Sequence, residues 1–336
     1  MSVGLFVVQF HVILQQGIFD QQFGVAGYDQ LRDQGLSRHR IAVAVDGGWL
    51  VRQGRWLVLS SHWAPGGTGP EQHDAKWHHD LYAAIYSFSP RVRATVVCFR
   101  RTAAAIWGLD GTGPGPVELA ATSGRASSGR LYRPRGFEPA EIAQVDGFRV
   151  TSVTRTLLDL GQVVGPAVIE RALESALRKR YVSLDALAEA VAGAPRLRGA
   201  GALRSVLAGR PSGAPPTESD AETLFLQLAR RSGLPEPQRQ FALPTSEGVF
   251  RLDFAWPLRR IAVEIDGAAT HASREALSRD LRRQNRLLIS MVPAGWALLR
   301  FTWDDLVDPR FAGQMVDKLR EAWVIGLNAP PPLPRR

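Results

Sequence analysis

The stretch 251–271, RLDFAWPLRRIAVEIDGAATH, constrains this chain more than any other. Ile261-Ala262-Val263 reads as a short β-strand that delivers Glu264 and Asp266 two residues apart, just before Gly267. Side chains of a strand alternate faces, so residues i and i+2 share a side and the two carboxylates lie next to one another. A second strand, Phe250 to Trp256, carries Asp253 and is joined to the first through Pro257-Leu258-Arg259-Arg260. A hairpin or tight loop there brings Asp253 close to the Glu264/Asp266 pair. Three carboxylates gathered at strand ends repel one another, and burying them unpaired is costly. A hard divalent cation with oxygen ligands, Mg²⁺ or Mn²⁺, would resolve the conflict.

The spacing D(x10)E-x-D resembles the active site of the PD-(D/E)XK nuclease superfamily, and looks closest to its branch similar to the very-short-patch mismatch-repair endonuclease. Four further features match that branch: Pro216-Thr217-Glu218 through Glu222 ahead of a helix, His271, a helix with Asp280, Arg283 and Asn285, and Gly295-Trp296 leading into Leu299-Arg300-Phe301-Thr302-Trp303. The resemblance covers residues 216–325. It implies a restriction-endonuclease-like α/β/α domain with a mixed sheet, acting as a metal-dependent endonuclease. Asp253, Glu264 and Glu222 would hold one Mg²⁺ (or Mn²⁺), Asp266 would belong to the same acidic site, and Arg283 and Arg300 would approach phosphate.

The sequence departs from that pattern at one position. The expected lysine is replaced by Asp266, and the lysines of the chain, Lys76, Lys179 and Lys318, all lie elsewhere. Arginine stays protonated and cannot stand in as a base. His271, with an unperturbed pKa of ~6.5, is the alternative base or water-orienting group. Plainer readings stand beside each assignment. Glu218, Asp220 and Glu222 fall at the start of a helix capped by Thr217, where carboxylates suit the positive end of the helix dipole. Asp280 and Arg283 are three apart and suit an ordinary helix ion pair. Arg300 lies between Leu and Phe as a strand residue would, and His271 suits a surface loop.

The whole chain, 336 residues and 45% apolar, suits two or three domains with real cores. A net charge of +9 favours an anionic partner, nucleic acid first, although the dominance of Arg over Lys is also what a GC-rich genome produces. The single Cys98 excludes a disulfide framework and Cys-based zinc sites, which fits a reducing cytoplasm. No run approaches the ~20 apolar residues that span a bilayer. The apolar segment Val3 to Leu14 lacks the basic flank and small-residue cleavage site of a signal peptide, and reads as a buried strand or helix or an over-extended start.

Residues 1–62 read as a winged helix. A helix from Tyr28 to Gln34 is followed by a second from Arg38 to Val45, capped by Ser37, and by a hairpin turning at Gln53-Gly54. GLSRHRIAVAVDGGWLVRQGRWLVL resembles the N-terminal domain of abortive-infection type IV antitoxins, and this puts Arg38, His39 and Arg40 at the start of the recognition helix. A protein–protein module with solvated charges is the alternative, with a toxin or other protein as partner. Ser61 to Glu71 is a Gly/Pro-rich linker, and its neighbours His62, His73, His78 and His79 lack metal-ligand spacing. A middle α/β domain covers 63–209, with a helix start at Thr154-Arg155-Thr156 and an Arg-rich loop at 123–135 suited to phosphate or simply solvated. Arg210 to Pro216 reads as a linker, 217–327 as the nuclease-like domain, and 328–336 as a Pro-rich tail.

The multi-domain α/β chain is therefore expected to be a metal-dependent DNA endonuclease guided by its N-terminal module. The alternatives are a non-catalytic DNA-binding regulator of the antitoxin type with a degenerate nuclease domain, and an RNA nuclease. Nothing in the sequence sets the oligomeric state.

Overall fold

The computed structural model describes residues 17–122, 137–245, 247–266 and 274–327. The protein is a mixed α/β chain with three small sheets and, among the described residues, fourteen α-helices. It divides into two compact units: 1–163 with 196–199, and 164–195 with 200–336. The segment Val3 to Leu14, the Arg-rich loop 123–135, His271 and the tail 328–336 lie outside the described residues.

The first unit opens with α1 (Ile18–Gln21), β1 (Val25–Gly27), α2 (Tyr28–Asp33), α3 (Arg38–Asp46), β2 (Leu50–Gln53) and β3 (Leu57–Ser60), whose strands form one sheet in the order β1-β3-β2. Ser37 caps α3 by accepting the Arg40 N–H at 3.1 Å. Leu31, Leu36, Ile41, Leu50 and Val58 close the small core. α4 (Pro70–Tyr86) begins within the Gly/Pro-rich stretch, because a proline in the first turn gives up an N–H that has no helical partner anyway.

Next come α5 (Pro90–Arg93), β4 (Val96–Cys98), α6 (Arg100–Ile106), β5 (Leu119–Ala121), β6 (Ile142–Val145), β7 (Phe148–Thr151) and α7 (Val153–Leu160). Their sheet runs β5-β4-β7-β6, with β4 and β7 parallel. The N-terminal helices dock on α4 within this unit. Gln22 and Gln30 donate to the Tyr86 hydroxyl at 3.1 and 2.7 Å, and Arg93 pairs with Asp29. His79 stacks on Trp63 at 4.3 Å and meets the Phe23 carbonyl, so this histidine anchors α4 to the preceding segments. Ser152, not Thr154, caps α7. Arg155 is buried there between Asp159 and Glu141, at 2.8 and 2.7 Å.

The second unit contains α8 (Pro166–Arg178), α9 (Leu184–Gly193), α10 (Ala200–Gly209), α11 (Asp220–Arg231), the hairpin β8 (Gln238–Thr245) and β9 (Gly248–Trp256), β10 (Ile261–Asp266), α12 (Arg274–Met291), β11 (Ala297–Thr302), α13 (Trp303–Val307) and α14 (Pro309–Leu327). Its sheet runs β11-β10-β9-β8; only the β10–β11 pair is parallel. One face carries Phe254, Trp256, Ile261, Val263 and Phe301 against α11, α13 and α14. The other carries Phe250, Leu252 and Ala262 against Leu287 and Met291 of α12. The result is three layers, helix on sheet on helix.

α11 starts differently from expectation. Ser219 is its cap, accepting the Glu222 N–H at 3.1 Å, while the Thr217 hydroxyl is buried against Thr223 at 2.8 Å. Asp220 serves α8 rather than a helix dipole alone, taking two hydrogen bonds from Arg171 at 2.7 and 2.5 Å. The Pro-rich stretch 210–216 lies inside this unit. Glu174 on α8 accepts from Arg210 at 3.1 Å, from Arg239 at 2.8 Å and from the Thr217 N–H at 3.1 Å. These three side chains are almost fully buried. Glu236 also accepts from Arg239, at 3.4 Å, so Glu174 is the carboxylate shared by both guanidinium groups. Glu174→Ala should lower the stability of this unit by about 3–5 kcal/mol, the cost of stranding a buried charge, seen as an earlier urea transition.

Candidate functional site

Asp253 lies where the β8–β9 hairpin breaks its own alternation. Leu252 packs toward α12 and Phe254 toward α11, although residues two apart in a regular strand share a face. Opposite, Gln240 has a φ of 51°, the left-handed region that non-glycine residues rarely occupy. Both strands change sides at this level. Asp253 then uses its carboxylate as backbone would: Oδ2 accepts the Ile265 N–H of β10 at 2.8 Å. The expected closeness of Asp253 to the end of β10 is there: antiparallel pairing through Val263 and Phe254 brings it beside Glu264, and the side-chain bond to Ile265 fixes it.

Glu264 is 6% exposed and faces the α12 layer. Its first carboxylate oxygen takes a hydrogen bond from Arg283 at 2.8 Å, and its second, Oε2, is buried with no hydrogen-bond partner among the described residues. Arg283 also donates to the Arg251 carbonyl at 3.0 Å. Asp266, the next residue on that face, is held by Arg300 of β11 at 2.5 Å. The same guanidinium reaches Asp280 at 3.0 Å and Gln284 at 3.0 Å. The anticipated Asp280–Arg283 helix pair is therefore replaced by two cross-layer bridges. Parallel pairing of β10 with β11 aligns Glu264 with Arg300, and this puts that arginine in the acidic cluster.

Glu222 is 4% exposed on α11. Its Oε2 accepts from the Glu218 N–H at 2.9 Å and from Gln240 at 3.2 Å, while Ser219 donates to Oε1 at 3.3 Å. Burial pushes its carboxyl up to about 7, opposed by the Glu218 N–H and reinforced by the charges of Asp253 and Glu218. Burial likewise raises Asp253; the Ile265 N–H opposes this, and Glu264 adds to it. Glu222, Asp253 and Glu264 thus form one electrostatic group, with Gln240 bonded to its Glu222 member. Sequence reasoning missed Gln240, since nothing in a single glutamine announces a left-handed backbone. It also missed Ser219, although Ser-x-x-Glu ahead of an apolar run is a cap signature.

Glu218 is paired with exposed Arg251 at 2.7 Å. Asn285 is exposed on α12. In the first unit, Arg38, His39 and Arg40 are exposed at the start of α3.

The donors near Asp253 and Glu264 are all oxygens, as Mg²⁺ and Mn²⁺ prefer, and the unpartnered Oε2 of Glu264 suits such a cation. As the side chains lie, no three His, Cys, Asp or Glu among the described residues converge as a metal cage. Arg283 occupies one oxygen that a metal would take, so the fit requires Arg283 to release it.

Two uncharacterized proteins of Mycobacterium tuberculosis, Rv2248 and MT2308, are distantly similar, each 27% identical over 277 residues, 81% of this chain and 92% of theirs. No family model matches the chain. No helix among the described residues is long and apolar enough to cross a membrane.

The raised carboxyl of Glu222 has a direct consequence for stability. Folded Glu222 keeps its proton up to about pH 7, whereas the unfolded chain loses it near 4.5. Its contribution is therefore full below pH 4.5 and is lost as pH rises to about 7. Relative to Glu222→Gln, the wild type should lose up to about 3 kcal/mol across that window, read from urea unfolding at stepped pH.

Proposed function

We propose that the second unit is a metal-dependent endonuclease that hydrolyses phosphodiester bonds in DNA. The observation that carries this reading is the buried, unpartnered Oε2 of Glu264 beside Asp253, whose own negative charge is disfavoured by burial and by Glu264. Order and layering support it: hairpin, third antiparallel strand, helix, parallel fourth strand, with helices on both faces, is the arrangement expected of a restriction-endonuclease-like domain. Asp253 and Glu264 would hold Mg²⁺ or Mn²⁺, with Glu222 behind them as the proton-bearing third acid. The ion, when bound, would polarise the phosphate, assist the attacking water and offset developing charge.

The chain's own groups set the rest. The Ile265 amide fixes Asp253 in orientation. Arg283 neutralises Glu264 until a cation replaces it, and Arg300 holds Asp266 and Asp280 together. Asp266, tied to Arg300, is thereby a positioning group. His271 remains the proposed base.

The first unit would guide the protein to DNA or to a protein partner. Its order α1, β1, α2, α3, β2, β3, with β1 paired to β3, supports a winged helix with Arg38, His39 and Arg40 at the head of α3. A toxin partner follows only from the antitoxin resemblance. The protein would act in the cytoplasm, in keeping with its lone buried Cys98.

A second reading has its own support. Built-in arginine partners on Glu264 and Asp266, with no lysine beside them, suit a DNA-binding regulator whose nuclease fold no longer turns over. Plasmid nicking in Mg²⁺ or Mn²⁺ separates the two. Wild type should nick, and Asp253→Asn and Glu264→Gln should each lose at least about 100-fold, the scale at which even outer groups of metal sites act. DNA binding without nicking on any DNA or RNA substrate would select the regulator.

A further inference from the structure

Arginines in the second unit repeatedly face carboxylates: Arg171 meets Asp220, Arg239 meets Glu174, Arg230 meets Glu170, Arg283 meets Glu264 and Arg300 meets Asp266. Three on α12 do not. Arg279, Arg282 and Arg286 are exposed and make no ion pair among the described residues. Residues three and four apart share a helix face, so positions 279, 282 and 286 form one stripe. Leu287 and Met291 bury the other side of the helix against the sheet. Arg283, flanking the stripe, reaches Glu264 itself. The stripe therefore runs along the shoulder of the acidic site.

The spacing suits a nucleic-acid strand. Seven residues of α-helix rise ~10.5 Å at ~1.5 Å each. That length matches about three steps of one DNA strand, which places a charge every ~3.4 Å. Glu275, one turn before Arg279, limits the stripe at its N-terminal end. Arg283 and Arg300, for which the sequence suggested phosphate contact, pair with Glu264 and Asp266 in this structure.

We propose that Arg279, Arg282 and Arg286 form the track that holds the sugar–phosphate backbone of duplex DNA beside Asp253 and Glu264. The proposal deepens the endonuclease reading and rests on it for where the scissile bond would lie, but the contact itself needs no turnover.

The test measures binding of the full chain to a labelled DNA duplex in EDTA, by anisotropy across a salt series. Changing Arg279, Arg282 and Arg286 together to Gln should flatten the slope of log K against log salt by about 2–3, since each phosphate contact contributes ~0.9. A charge-matched variant, Arg310→Gln with Lys318→Gln and Arg320→Gln on exposed positions of α14, should leave the slope as in wild type. Circular dichroism checks that both variants stay folded. No duplex binding by wild type, an unchanged slope in the α12 variant, or an equal loss in both variants overturns the track. Because no metal is present, a failure to nick in Mn²⁺ counts only against hydrolysis, so the two readings fail separately.

Discussion

Repulsion among carboxylates is the constraint around which the second unit is arranged. Glu222, Asp253, Glu264 and Asp266 come from three elements, and each has a different counterweight. Glu264 has a guanidinium, Asp266 has a guanidinium shared with Asp280, and Asp253 has a backbone amide. Glu222 has a proton held to about pH 7. Partially buried anions persist only when the surrounding structure supplies such partners. The break in the β8–β9 alternation, the parallel docking of β11 and the inward side of α12 all serve that supply.

Much of this architecture is legible in the sequence because strand alternation and turn chemistry are local. The two strands around Asp253 and Glu264, the two N-terminal helices followed by a hairpin, and the Ser37 cap follow from side-chain period and from which residues can satisfy a free N–H. Partner choice across layers is not local. Asp280 and Arg283 satisfy the helix spacing for a pair, yet each finds a partner on the sheet, because β10 and β11 bring Glu264, Asp266 and Arg300 under α12. Likewise Thr217 has the chemistry of a cap, but burial against Thr223 and Glu174 engages it and the cap passes to Ser219. Gln240 carries no sequence signal at all; its left-handed backbone is imposed by the hairpin.

Arginine dominance acquires two meanings in the structure. Where Arg155 and Arg239 are buried, permanent charge makes the residue a fixed tie between elements, since it cannot shed its proton to escape. Where arginines stand exposed on α12, the same permanence leaves a charge that only solvent or another anion can meet. Abundance alone does not account for this sorting.

The tie between Glu174 and Arg239 also bears on how such a domain can travel between proteins. The helices 164–209 precede the acidic region in sequence, and a boundary drawn at the prolines would leave them behind. Yet α8 supplies one of the two carboxylates that balance a buried arginine of the hairpin, Glu236 being the other, and Arg171 fastens the head of α11. The inheritable unit is therefore the longer one. Recombination that cut at residue 216 would pass on the acids while leaving Arg239 with Glu236 alone.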